Sequence, residues 1–179
     1  EIPITHHEDL RRSGLIDTGL VNDPRVPLRT SSIGAWASAA ALQILGELRA
    51  MYTEYRTVTQ RNPQDVADTL LLPEAAYTHV EQTPVGDNAD KTILKYLVDN
   101  IPELRAIEFC PFLEGIGAGG TDRAMLYNRS ADAVRAVLPL QMRFLSPETT
   151  PLKTMFRMVE RNAGVEFVRA YAAQYTDGV

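Results

Sequence analysis

Apolar residues recur with a helical period most clearly between Ala39 and Val58. Ile44, Leu48, Met51 and Tyr55 follow one another at steps of four, three and four, with Leu45 and Tyr52 beside them. Glu47, Arg49, Glu54 and Arg56 fall on the other side. The pattern predicts one amphipathic helix, started by Ser38 as N-cap and followed by the break at Asn62-Pro63. Thr69-Leu70-Leu71-Leu72 is a short apolar run before Pro73 and reads as a buried strand. Glu74 to Gln82 then reads as a short helix with Pro73 at its first position. Lys91 to Asn100 resumes helix with Ile93, Leu94, Leu97 and Val98 as its stripe, until Pro102 breaks it.

Beyond Glu103 the period shifts towards two. Ala106 to Phe109 and Ala124 to Tyr127 read as strands, joined across Gly115 to Gly120 by a flexible hairpin connection. A short helix is expected over Ala131 to Val134. Leu138 to Leu145 is apolar around Gln141 and Arg143, and Pro147 and Pro151 bracket the next loop. Leu152 to Val168 suggests a long hairpin turning at Asn162-Ala163-Gly164, where asparagine and glycine tolerate positive φ. The first thirty-odd residues read as irregular, with a turn at Asn22-Asp23-Pro24 and short apolar pieces, Leu15-Ile16 and Leu20-Val21, that can dock on a body elsewhere. Helices and strands intermingle without regular alternation, so the fold class is α+β.

Composition narrows the function more than the fold. At 179 residues the chain has the size of one domain or one and a half, large enough to bury a core without staples. Eighteen basic residues against 23 acidic ones leave a net charge of −5, which removes the basic patch expected of a nucleic-acid binder. No run of apolar residues is long enough for a spanning helix, so no membrane is expected as a partner. The single cysteine, Cys110, excludes an internal disulfide framework and a cysteine-based zinc site. Glu1-Ile2-Pro3-Ile4 lacks the basic start and apolar stretch of a signal peptide, and the missing initiator methionine suits a processed or trimmed product.

Candidate chemistry is sparse. His6-His7-Glu8-Asp9 gathers imidazoles and carboxylates, but neighbouring side chains do not converge on one face, and the H-E-x-x-H spacing is absent. Gly115-Ile116-Gly117-Ala118-Gly119-Gly120-Thr121 matches no phosphate-loop spacing and leads into a strand, whereas a phosphate cradle opens a helix. Cys110 lies between Phe109 and Pro111, an apolar setting that raises a thiol's pKa, and nothing ties it to His79. Asp87, Asp90 and Asp99 flank loops and helix ends, the usual place of solvated or capping carboxylates. No catalytic residue, metal site or cofactor is expected.

The succession of landmarks adds a resemblance. Gly19-Leu20-Val21-Asn22-Asp23-Pro24 is followed by Trp36 before the long helix, then by Asp68 to Tyr77 and Thr92 to Pro102. Gly117 to Arg123 leads to Met125-Leu126-Tyr127, and the chain closes with Arg161, Gly164-Val165 and Tyr175 to Val179. This series resembles the major capsid proteins of tailed bacteriophages and prophages, whose fold is shared with encapsulin nanocompartments and the floor of herpesvirus capsids. The resemblance implies a structural protein of an icosahedral shell that encloses DNA, assembled in the bacterial cytoplasm from pentamers and hexamers of copies of itself. It implies no enzyme activity and no sequence-specific nucleic acid. An acidic balance suits a wall facing packaged DNA. The alternatives are an encapsulin-like nanocompartment shell and a small non-capsid binding module or enzyme.

The resemblance also implies a division of the chain. Residues 1–35 would be an irregular segment joining from the peripheral domain, 36–150 the axial domain, and 151–179 strands returning to the peripheral domain. Thr83, Gly86, Asp87, Asn88 and Asp90 are the candidate intersubunit contacts, in a loop expected near the capsomer axis. Members of the family carry an N-terminal arm, an extended loop and a spine helix that this sequence does not show. The isolated chain is therefore expected to be a monomer or small ring, with an apolar face uncovered near Leu152 to Val168.

Overall fold

The protein is described by a computed structural model, which covers residues 19–86, 91–137, 140–150, 153–161 and 164–179. Its first elements are β1 (Leu28–Thr30), α1 (Ala41–Val58), β2 (Thr69–Leu72), α2 (Glu74–Gln82), α3 (Ile93–Asn100), β3 (Ala106–Phe109) and β4 (Arg123–Tyr127). Six short strands follow, β5 (Val134–Ala136), β6 (Leu140–Phe144), β7 (Glu148–Thr150), β8 (Lys153–Met155), β9 (Met158–Arg161) and β10 (Val165–Phe167), and then β11 (Ala173–Asp177).

Five strands form the body in the order β1-β11-β4-β2-β3. The outer pairs, β1 with β11 and β2 with β3, are parallel, while β11 with β4 and β4 with β2 are antiparallel. Every residue of β2, β4 and β11 is buried. Strand alternation divides their side chains between two cores. Leu70, Leu72, Ala124 and Leu126 point to a larger core shared with Trp36 and the three helices. Leu71, Met125, Tyr127, Ala173 and Tyr175 point to a smaller one closed by Val21, Val26, Leu113 and Phe167. Cover on both faces explains why β2 reads as a continuous apolar run, and why Ala124 to Tyr127 of β4 are apolar at successive positions rather than alternating.

Helix α1 lies where its periodicity places it. Ile44, Leu48, Met51 and Tyr55 are all buried, each worth about 1.5–3 kcal/mol relative to exposure. Its start differs from the expectation. Trp36–Ser38 form a 3₁₀ turn, Ala40 is the N-cap, and Gln43 Oε1 accepts from Ala40 N at 3.1 Å. Glu47 also departs from the solvent side assigned to it. It is buried because β1 runs beside the helix and brings Arg29 Nη2 to within 2.9 Å of Glu47 Oε1, with Ser32 donating to Glu47 Oε2 at 2.6 Å.

Shorter elements are corrected in detail. Pro73 is the N-cap of α2, not its first helical residue, since its carbonyl accepts from Tyr77 N. Thr92 caps α3 through its hydroxyl. Strands β3 and β4 are not a hairpin, because β2 lies between them and pairs with both. Ala131 to Val134 is a turn leading into β5 rather than a helix. Leu152 to Val168 does not fold back on itself: β8 pairs with β7, β9 with β6 and β10 with β5. One two-stranded ribbon therefore runs from Val134 out to residue 150 and back from residue 153 to Phe167. The expected turn at Asn162-Ala163 lies outside the described residues. Strand β11 pairs between β1 and β4 inside the five-stranded sheet.

Candidate functional site

The ribbon is the part of the chain whose surface is least satisfied by its own fold. Of β6, β7 and β8, all residues but Leu140 are exposed. Phe144 is 68% exposed, Phe156 69%, Met142 and Met158 60% each, so large apolar side chains meet solvent here at levels no buried strand of the body shows. Phe144 and Met158 are direct cross-strand partners and thus share one face. A register shift between Leu140 and Arg143 marks an irregularity in the pairing.

Polar contacts hold the ribbon to itself rather than to the body. Arg135 donates from Nε and Nη2 to Glu166 Oε2 at 3.0 and 2.9 Å, and Arg157 Nη2 reaches Glu148 Oε2 at 3.0 Å. Leu145 N donates to Arg157 O and Val137 N to Gly164 O. Among the described residues the ribbon is anchored at its base, where Phe167 is buried in the smaller core and Val134 packs against that core. A two-stranded ribbon without a packed face is marginal in water. Its exposed apolar side chains form a patch of the kind that marks interaction sites.

At the start of β4 and the end of β11, the last strand and the segment around Val21 are knotted together. Arg123 donates to both carboxylate oxygens of Asp177, at 2.6 and 3.0 Å, and to Val21 O at 2.7 Å. Its guanidinium lies 4.7 Å from the centre of the Tyr175 ring, whose hydroxyl donates to Leu20 O at 2.7 Å. The glycine-rich loop closes the same knot. Ala118 N donates to Asp177 Oδ2 at 2.9 Å, and a Cβ on Gly117 would stand 2.7 Å from Thr121 O, closer than any side chain tolerates. The loop does cradle an anion, and the anion is the chain's own Asp177.

The candidate contact loop is half described. Thr83 and Gly86 stand at its near side, where Ile93 N donates to Thr83 O and Val85 N to Lys91 O, while Asp87, Asn88 and Asp90 lie outside the described residues. Thr83 Oγ1 is 3.3 Å from His79 Nδ1, and His79 Nε2 is 3.0 Å from Ala39 O, so the histidine joins the end of α2 to the segment before α1. His6 to Asp9 also lie outside the described residues. Cys110 is half-buried, and burial pushes its thiol up, partly offset by the hydrogen bond from the Phe112 amide. Among the described residues no group of three or more His, Cys, Asp and Glu is placed to hold a metal, and no helix is long and apolar enough to cross a membrane. The ribbon's pairing and the Arg123–Asp177 knot were missed from sequence. The one signal was the cluster of Met142, Phe144, Met155, Phe156 and Met158, which a polar loop does not carry.

Comparisons with known proteins agree on one fold. The family model described as major capsid protein matches residues 5–179. The capsid of the myovirus phage XM1 superposes with a TM-score of 0.80 at 16% identity, covering 92% of this chain and 55% of that one. A virus-like particle from Pyrococcus furiosus superposes with a TM-score of 0.57 at 11% identity, covering 86% of this chain and 57% of that one. The chain thus spans a little over half the length of either. No curated protein sequence matches it.

Proposed function

This chain belongs to the major capsid protein family, and we propose that it supplies the body and one ribbon of a shell subunit that assembles with copies of itself around DNA. The observation that carries the reading is the ribbon. Its exposed Phe144, Phe156 and Met158 have no use in a monomer, and an extended two-stranded projection fits a protein whose work is done by contact with neighbours. The body then corresponds to the axial domain and the ribbon to part of the peripheral domain. The loop from Thr83 onward faces the capsomer axis, where a fivefold or sixfold ring of loops meets.

Nothing in the body suggests that catalysis is the function. The buried charges are consumed by structure: Asp177 by Arg123, Asp65 by Arg169 at 2.8 Å, and Glu47 by Arg29. The subunit's location is the virion capsid, and assembly takes place in the bacterial cytoplasm. The test is electron microscopy of particles from cells expressing the complete gene product that contains these residues. Closed icosahedral shells of pentamers and hexamers are expected, filled with DNA when the phage packaging machinery is present. Soluble protein that never forms shells overturns the reading. Shells that enclose a protein cargo instead favour the nanocompartment alternative, which the likeness to the Pyrococcus furiosus particle keeps in view.

A further inference from the structure

A cleft lies at the C-terminal end of α1, with a volume of about 590 Å³. Tyr52, Tyr55, Arg56, Arg61, Val66 and Glu103 are among the residues that line it. The two tyrosine hydroxyls donate to Ala67 O and Asp65 O, so what the rings offer to the cleft is largely apolar surface. Arg56 is already bridged to Glu103 at 2.8 Å. Arg61 forms no ion pair among the described residues. Its backbone is in the left-handed region with φ 57°, directly after Gln60 at φ 52°. Neither residue is a glycine, asparagine or aspartate, and each such conformation costs about 1–3 kcal/mol. The bonds from Gln60 N to Thr57 O and from Arg61 N to Arg56 O hold this turn and carry Arg61 to the cleft.

The opposite end of the same sheet has the opposite charge. Glu74, Glu114 and Asp122 line an open depression of about 510 Å³, and none of the three forms an ion pair among the described residues. Glu74 follows the end of β2 and Asp122 precedes the start of the antiparallel β4, whereas Val66 and Ala67 of the cleft precede the start of β2. The two surfaces are therefore separated by the length of the strands. A contact that joins them is therefore between copies, and repeated head to tail it closes into a ring of subunits.

We propose that the Arg61 cleft of one copy receives the acidic end of the sheet of a second copy. The inference rests on the shell reading above and names one of its contacts. The cleft supplies apolar ring surface and an unneutralised cation held at its edge. The second copy supplies three unneutralised carboxylates, and like ends repel, so the pairing has a direction built into it. Charges at the rim of such a contact set register and encounter rate, and placing like charges opposite one another costs several kcal/mol.

The test is sedimentation of the full chain at low and high ionic strength, with Arg61→Glu and with Glu74→Lys/Glu114→Lys, separately and mixed. Wild type is expected to associate at low salt and dissociate at high salt, each reversal to weaken association at least about tenfold, and the mixture of the two reversed chains to restore it. Circular dichroism checks the fold, and Arg61→Gln replaces Arg61→Glu if the reversal unfolds the chain, with weaker association again expected. Association that the reversals leave unchanged overturns this contact while the shell reading stands. A chain that stays monomeric at low salt, or a cleft that binds inorganic phosphate through Arg61 without self-association, overturns the assignment to a second copy. Failure of the complete gene product to form shells would instead strike the reading on which the contact rests.

Discussion

Two sets of strands in this chain are built to opposite rules. In the body, β4 and β11 are buried along their whole length, and β4 serves two cores at once. In the ribbon, β7 and β8 are exposed along theirs, and on β6, at Phe156 and at the start of β9 the apolar side chains Met142, Phe144, Phe156 and Met158 stand in solvent. The body finds its partners within the chain. The ribbon carries apolar side chains that find no cover among the described residues, which fits the proposal that part of its burial comes with assembly. Surface apolar residues scattered singly are ordinary, and the point here is their concentration on one projection.

The sharpest way to break the comparison is at the knot that fastens the body. Asp177→Ala leaves Arg123 buried without its partner and removes the anion from the glycine loop. A loss of about 3–5 kcal/mol is expected in urea unfolding of the chain. A loss below about 1 kcal/mol would mean that the body does not depend on this pair. Next comes a matched pair of truncations. Leu48→Ala, on the buried face of α1, should cost about 2–5 kcal/mol, whereas Phe144→Ala, on the ribbon, should stay within about 0.5 kcal/mol. Equal costs would erase the distinction between the two regions.

The smallest effect concerns the strap that enters the body. Burial pushes the Asp23 carboxyl up, but the Arg25 side-chain hydrogen bond, the Arg25 amide and the guanidinium charge outweigh it and hold the group below its ordinary value. A carboxyl depressed by folding contributes stability that is fully present above its unfolded pKa, about 3.9, and is lost as pH falls through the folded value. The stability gap between wild type and Asp23→Asn should therefore be constant near neutral pH and shrink below about pH 4. Arg25 is 61% exposed, so solvent screens the pair and the gap is small. A gap that widens on acidification would show that the pair is not what holds Asp23.

What could be read from the sequence was local. The buried face of α1 follows from steps of three and four, β2 from its apolar run, and β4 from the shift of period beyond Glu103. Pairing was not local. β5 meets β10 across the whole length of the ribbon, and no residue within either strand records that partner. Glu47 looked solvent-facing because its helix alone cannot show that β1 brings Arg29 to it. The left-handed turn at Gln60-Arg61 was equally hidden, since neither residue type favours that conformation. The glycine loop's contact with Asp177 was hidden as well, because that carboxylate lies far along the chain. Of the candidate contacts, Thr83 and Gly86 are placed at the near side of their loop, and the acidic residues beyond them lie outside the described residues.

The claim that the ribbon is reserved for assembly is tested most directly by hydrogen–deuterium exchange, comparing the isolated chain with the same residues in assembled shells. In the isolated chain, amides of β4 and β11 should be protected and those of β6 to β9 should exchange rapidly. In shells the ribbon amides should slow by at least about a hundredfold, the result of gaining a cover that excludes water and opposes local opening. A ribbon that exchanges as fast in the shell as in the isolated chain, while the body stays protected in both, would contradict the account.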